Sequence, residues 1–464
     1  MSESTDAHRR ADSRRNEERI LAVAKRLLEH SPAATLSDIA AAAGVSRSTL
    51  YRHFADRAEL VERLDERPED GAVQPAGGAL PTGRLGRTRP LALDAIHVFD
   101  AVPPALLPGQ LVAEAERIAA VPVALYLLDI DGSHLLHMAG DERLGAFLDA
   151  PFAVGPELDA DGIALVRERI ERPGEVEVFA LWLRGRAIGA FLAFGRVREP
   201  LTEIARQAAA AVTLADRYTD IFASVQRRKQ PRAAAEIQQS LLPPRIVRLS
   251  GGEVAGNVLP SYEVAGDWFD VVENLDGVWC TLADGLGGST RAAASSAIAL
   301  GALRAARRSG AAVGEALLVM HQALREMPGP RSEMTALVAH WEPEGGALRL
   351  YSCGHVAPLL IRADGEAGRP ACAGSAGLGG RSTPTPVIEE TRLRLGDRLV
   401  LVSDGVVRDG PGQAGLGEEG LVRAACAAGN DSASETVRAV HGAVLEAAAG
   451  ELADDATAVC LLVG

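Results

Sequence analysis

The sequence predicts a multidomain protein of three structural classes: an all-α head, an α+β middle, and a C-terminal domain in which strands and helices mix. Three observations lead there. The chain has 464 residues, about three domains at roughly 150 residues each, and enough to bury large cores without disulfide or metal staples. Between Glu66 and Pro90 nine of 25 residues are Gly or Pro, which erases helical and strand periods alike and marks a flexible linker. From Leu201 the hydrophobic period becomes heptad-like, separating the middle from the C-terminal part of the chain. The segments are therefore 1–65, the linker 66–90, 91–200, a helix over 201–234, and 235–464.

Hydrophobic residues at 47% and charged residues at 24% fit a soluble globular protein, and no apolar run approaches the ~20 residues needed to span a bilayer. The opening Met1-Ser-Glu-Ser-Thr-Asp6 is polar with no signal-peptide core behind it, so the expectation is a cytoplasmic protein without membrane partners. A formal charge of −14 argues against wholesale binding of nucleic acid or acidic lipid, and leaves room for a local basic patch. All five cysteines lie at or beyond Cys280 with no Cys-x-x-Cys pair. They read as reduced thiols rather than a disulfide or zinc framework.

In the head, Ile20, Leu21, Ala24, Leu27 and Leu28 make one apolar helical stripe. The run Thr35 to Phe54 then reads as a helix, a tight turn at Gly44, and a second helix capped by Ser46. Such a turn lets the second helix enter a major groove. Its exposed face carries Arg47, Ser48, Thr49, Tyr51, Arg52 and His53, donors suited to phosphates and base edges. Arg9, Arg10, Arg14, Arg15 and Arg19 precede it as a backbone-contacting arm. The Ser-Thr-Leu-Tyr-Arg-His-Phe54 string resembles the TetR-type DNA-binding domain, which implies operator DNA as partner and binding as a dimer.

Strand-like runs at Val123–Asp129, Val176–Leu183 and Ala187–Phe194 alternate with helical stretches in the middle segment, and Arg184-Gly185-Arg186 reads as the turn of a hairpin. This pattern resembles a GAF sensory domain and implies a small-molecule ligand whose identity the sequence does not carry. His134 and His137 read as surface or satisfied core residues. Leu201, Ile204, Ala208, Ala211, Ala215, Tyr218, Phe222 and Val225 then keep an a/d spacing until Pro231. That spacing predicts a signalling helix and a homodimer; the alternative is a helix packed on its own domain.

In the last segment four acidic motifs stand at the ends of apolar strand-like runs: Val264 to Asp270, Trp279 to Gly288, Leu399 to Val406 and Leu452 to Ala458. An unpaired carboxylate beside a buried strand is costly, so several such groups imply shared cations. Hard oxygen ligands suit Mg²⁺ or Mn²⁺, and the glycine after Asp284 lets a backbone carbonyl approach as well.

With Gln239-Ser-Leu-Leu-Pro243, Met334-Thr335 and Cys353-Gly-His-Val-Ala-Pro358, these motifs resemble the PPM family of metal-dependent Ser/Thr protein phosphatases, in the branch of sporulation stage II protein E and RsbU. The resemblance implies an αββα sandwich with two metal ions, Mn²⁺ or Mg²⁺, at one end of its sheets. It further implies that Asp284 bridges the metals, that Gly285 lends its carbonyl, that Asp404 and Asp454 complete one shell, and that Asp267 serves the other. Asp270 and Asp455 are supporting candidates, and no protein nucleophile is required. His355 is a candidate for leaving-group protonation or, alternatively, for holding its loop.

Two stretches depart from the branch's usual pattern: Leu286-Gly-Gly-Ser289 lacks an imidazole, and Arg408 stands where a glutamate is common. Neither removes a metal carboxylate. The implied function is a sensor-gated phosphatase acting on a phosphorylated anti-sigma-factor antagonist of the STAS type. The alternative is a DNA-binding regulator whose phosphatase fold is a non-catalytic binding module.

Overall fold

The computed structural model describes residues 102–464, except 229–231, 262–265, 286–289, 331, 371, 373–375, 411–412, 430–431 and 450–451. The head expected to be helical, with Arg47, Ser48, Thr49, Tyr51, Arg52 and His53, lies outside the described residues. The compact unit that holds the described residues begins at Thr88.

The central domain opens with α1 (Leu107–Ala119) and continues through β1 (Val123–Leu128), β2 (His134–Gly140), β3 (Phe147–Asp149), α2 (Ala160–Ile170), β4 (Glu177–Leu183) and β5 (Arg186–Ala193). Its strands form one antiparallel sheet in the order β3-β2-β1-β5-β4. The expected hairpin is present. Arg184 and Gly185 take φ of 51° and 88°, the two left-handed positions of a turn whose twist matches the flanking strands. The carboxylate of Asp159 starts α2 by accepting a hydrogen bond from Gly162 N at 2.7 Å, one of the donors a helix start leaves unpaired.

Between Leu201 and Pro231 the structure departs from the expected single helix, giving α3 (Thr202–Ala215) and α4 (Ile221–Gln226) with a break between them. Leu201, Ile204, Ala208, Ala215 and Phe222 are buried in the central domain's own core with Leu111, Leu181 and Phe191, while Tyr218, at the break, is 79% exposed. An a/d spacing marks one apolar stripe whatever covers it. Here the cover is intramolecular, so the heptad spacing no longer argues for the expected homodimer.

The C-terminal domain comprises α5 (Ala233–Leu241), β6 (Ile246–Leu249), β7 (Gly252–Leu259), β8 (Trp268–Asn274), β9 (Gly277–Gly285), α6 (Thr290–Arg308), α7 (Val313–Arg325), β10 (Met334–Glu342), β11 (Ala347–Cys353), β12 (Leu359–Ile361), β13 (Ala367–Gly368), β14 (Val387–Arg392), β15 (Arg398–Val402), α8 (Asp404–Val407), the short β16 (Asp409–Gly410) and β17 (Gln413–Ala414), α9 (Gly417–Ala427), α10 (Ala433–Ala447) and β18 (Ala456–Val463). One sheet runs β14-β11-β10-β9-β8 and the other β13-β12-β15-β18-β7-β6. Their inner faces meet through Phe269, Leu282, Leu337, Leu399 and Val459. On the outside, α6 and α7 cover Trp268, Trp279 and Val338, and α9 and α10 cover Val400, Val402 and Cys460.

The result is the expected αββα sandwich. Strands β9 and β18 sit inside their sheets with both faces covered and read as nearly unbroken buried runs, whereas the edge strand β14 alternates. Four cysteines are buried and Cys426 is exposed, all as free thiols. Among the described residues no helix is long and apolar enough to cross a membrane.

The two described domains meet along residues 152–159. Val154 packs into the core under α9 and α10. Glu157 accepts a hydrogen bond from Ile246 N at 2.7 Å and pairs with Arg186 at 2.9 Å. Burial pushes its carboxyl up to about 7 against the pull of Arg186, and burial lowers the neighbouring Arg245 to about 10. The second oxygen of Asp159 accepts from Ser432 Oγ at 2.9 Å, and Arg438 donates to Phe152 O at 2.9 Å.

Candidate metal centre at the sheet ends

Strand ends and register bring the acidic motifs together. Asp284 and Gly285 close β9, opposite Thr335 and Met334 of β10. Asp267 immediately precedes β8, whose first residue, Trp268, pairs with Ala283. In the other sheet β15 ends at Val402, opposite Ala458 of β18. Asp404, two residues after β15, and Asp454, two residues before β18, therefore emerge at the same end.

Two glycines make the approach sterically possible. A Cβ on Gly266 would lie 2.8 Å from Gly285 Cα, and one on Gly405 would lie 2.1 Å from Asp455 O, separations no side chain tolerates. The glycine after Asp404 thus serves close backbone packing against the β18 entry.

Asp267 and Asp284 are buried. Burial, and then the charges of Asp404 and Asp454, push the Asp284 carboxyl up to about 7. Asp267 is raised well above the ordinary range by burial and then by Asp284 and Asp455. Asp404 is raised too, chiefly by burial, with Arg408 opposing. Asp267, Asp284, Asp404 and Asp454 are close enough for their charges to act on one another. Thr457 Oγ1 donates to Asp267 Oδ2 at 2.6 Å, while Ser403 Oγ accepts from Thr457 N at 2.9 Å and donates to Asp455 O at 3.3 Å. Arg408 pairs with Asp404.

This is more negative charge than one half-exposed arginine neutralises, and each unpaired buried carboxylate costs several kcal/mol. Among the described residues no three His, Cys, Asp or Glu side chains converge closely enough to hold a metal ion as they stand. The chemistry of the donor set, carboxylates from two sheets beside the Gly285 carbonyl, nevertheless fits hard divalent cations.

The supporting candidates separate. Asp270 is not at the centre: it is buried against α6, where Arg304 and Arg307 reach it at 2.8 and 2.9 Å. Two guanidinium groups satisfy it, which rules out a role as metal ligand in this arrangement. Asp455 accepts from Gln238 Nε2 at 2.6 Å and from Ser261 N at 2.8 Å, tying α5 and the end of β7 to the centre. Gln238 also donates to Asp267 O at 3.0 Å. Sequence reasoning missed Gln238, Ser403 and Thr457, although each adjoins or lies within a motif it had picked out. His355 is buried and held neutral, its pKa lowered to about 4 by burial, with Nδ1 at 3.0 Å from Val356 O, a bond that suits holding the loop. Leu286 to Ser289 lie outside the described residues.

Residues 275–463 match the family described as Stage II sporulation protein E (SpoIIE), and residues 20–64 match the TetR family of bacterial regulatory proteins. The matched stretch contains Asp284, Asp404 and Asp454 and begins after Asp267. Among solved structures, the RsbU and RsbW domains of a Mycobacterium tuberculosis protein are similar at 24% identity, covering 48% of this chain and 62% of that one, with a TM-score of 0.40. The phosphatase domain of the cell fate determinant SpoIIE from Bacillus subtilis is similar at 17% identity, covering 46% and 94%, with a TM-score of 0.35. The catalytic domain of the serine/threonine phosphatase PstP, in complex with two manganese ions, is similar at 18% identity, covering 45% and 96%, with a TM-score of 0.36. The chain thus spans 62% of the length of the first of these. Residues 275–463 therefore carry a SpoIIE-type domain, and the sequence of residues 20–64 is of TetR type.

Proposed function

We propose that residues 235–464 act as a phosphoserine/phosphothreonine phosphatase that works with two Mn²⁺ or Mg²⁺ ions. The observation that carries this reading is the meeting of Asp267, Asp284, Asp404 and Asp454 from two sheets, without enough positive charge to balance them. Asp284, the Gly285 carbonyl, Asp404, Asp454 and Asp267 are the groups that would hold the ions. Bound there, the ions acidify water and neutralise phosphoryl oxygens. Thr457 holds the Asp267 carboxylate, Ser403 braces the backbone at Thr457 and Asp455, and Gln238 fixes Asp455 and the backbone at Asp267. The chain's contribution is a preorganised set of oxygens, which costs no rearrangement during reaction.

The SpoIIE match supports a STAS-type anti-sigma-factor antagonist as substrate. The central domain, a five-stranded antiparallel sheet with helices on both faces, suits a GAF-like sensor of a small molecule, and its docked 152–159 segment supports gating of the phosphatase by direct contact. The TetR match supports operator binding through Arg47, Ser48, Thr49, Tyr51, Arg52 and His53. It also keeps a second reading in play, a DNA-binding regulator whose sandwich is a binding module.

Hydrolysis of p-nitrophenyl phosphate and of a phosphorylated STAS protein, each with and without Mn²⁺, separates the two. Manganese-dependent turnover of both is expected. No turnover with either, together with enrichment of a palindromic duplex from a random pool, would establish the binding-module reading. Loss of that enrichment in Tyr51→Ala/Arg52→Ala would place the DNA contact on the second helix of the head.

A further inference from the structure

Arg408 stands one helical turn after Asp404, at the end of α8, and its guanidinium pairs with Asp404 Oδ2. The root of this side chain is fixed. Arg408 N donates to Asp404 O at 2.8 Å, and Arg408 O accepts from Gly415 N at 2.7 Å. Gly415 is required for that contact, since a Cβ there would lie 2.1 Å from Arg408 O. The positive charge of Arg408 is felt at Asp284 as well as at Asp404. The tip, by contrast, is free to leave: the arginine side chain is 48% exposed, against 17% for Asp404.

A guanidinium does not lose its proton in a protein. A divalent ion that needs Asp404 would either share the carboxylate with Arg408 or take Oδ2 from it, and in both cases would sit beside that fixed charge. The geometry points to Arg408 as a tethered counter-cation that competes with the metal for Asp404 and so sets the concentration at which the centre fills. The inference rests on the metal-site reading above and adds to it a threshold belonging to this chain. Arg408 is a positioning residue, acting through Asp404.

The test is calorimetric titration of the full chain with Mn²⁺ alone, comparing wild type with Arg408→Gln, Arg408→Lys and Asp284→Asn, with thermal melting in chelator to verify folding. Arg408→Gln should bind Mn²⁺ about three- to tenfold more tightly, the scale of losing one half-exposed ion pair plus a repulsion. Arg408→Lys, which keeps the charge, should stay within about twofold of wild type. Arg408→Met replaces the glutamine variant if that one does not fold. Unchanged or weaker binding in the neutral variant, with Asp284→Asn abolishing the signal, would overturn the threshold and leave the metal site standing. Absence of Mn²⁺ binding by wild type, or binding indifferent to Asp284→Asn, would overturn both.

Discussion

Glu157 at the domain junction and Asp284 at the sheet ends are both buried carboxylates pushed up to about 7, in each case by burial first. Their neighbours act in opposite senses. Around Glu157 the charges of Arg186 and Arg245 and the Ile246 N–H all favour the ionised form, so the site is a compensated contact between domains. Around Asp284 the charges of Asp404 and Asp454 disfavour it. The same titration point therefore arises from a satisfied group in one place and from a surplus of like charge in the other. Only the surplus asks for a cation from outside.

The largest way to break that contrast is Asp284→Asn. Phosphatase activity with Mn²⁺ should fall at least ~10²-fold, the scale of removing one preorganised electrostatic group. Melting temperature without metal should hold or rise, because a like charge has gone. A clear loss of stability would mean the cluster is structural.

Asp270→Asn, three residues from Asp267, should do the reverse. It leaves Arg304 and Arg307 without their carboxylate and should cost about 2–4 kcal/mol in denaturant unfolding, with a much smaller loss of turnover.

At the junction the contrast is sharpened by pH. Glu157 has a folded pKa of about 7, above its ordinary value near 4.5. The folded state then holds the proton more tightly, so the stability linked to this group is fully present below about 4.5 and is lost as pH rises through 7. Melting curves should show wild type losing ground to Glu157→Gln between pH 5 and 8. A difference that is flat with pH would show that the two arginines hold the carboxylate ionised throughout.

The smallest effect is expected outside both regions. Tyr218→Asp should change unfolding free energy by no more than about 0.5 kcal/mol and leave sedimentation mass unaltered, since its side chain is 79% exposed and off the central core.

The sandwich and its acidic end were legible because each metal candidate stands just before or just after an apolar run, a pattern local to a few residues. The hairpin was legible for the same reason, a glycine where φ turns positive. What was not legible depends on partners remote in sequence. Asp267 and Asp270 look alike as letters, and only Arg304 and Arg307 on α6 tell them apart. The heptad spacing after Leu201 is genuine, but a stripe does not name what it packs on, and β4 and α1 reach it first. Gln238 and Thr457 carry no charge and so gave no signal among stronger motifs. The junction is assembled from Glu157, Asp159, Arg186, Arg245, Ser432 and Arg438, no two of which form a recognisable string.

Asp159 has a consequence for how such a chain could be rearranged. One oxygen starts α2 through Gly162 N, and the other holds Ser432, which itself starts α10 through Glu435 N. A chimera that exchanged the central domain at the 201–233 connection would keep a continuous polypeptide yet deprive a helix of the phosphatase domain of support at its first residue. These two domains therefore fit as a matched pair: a foreign input module would have to bring its own equivalent of the 152–159 segment before it could be grafted in.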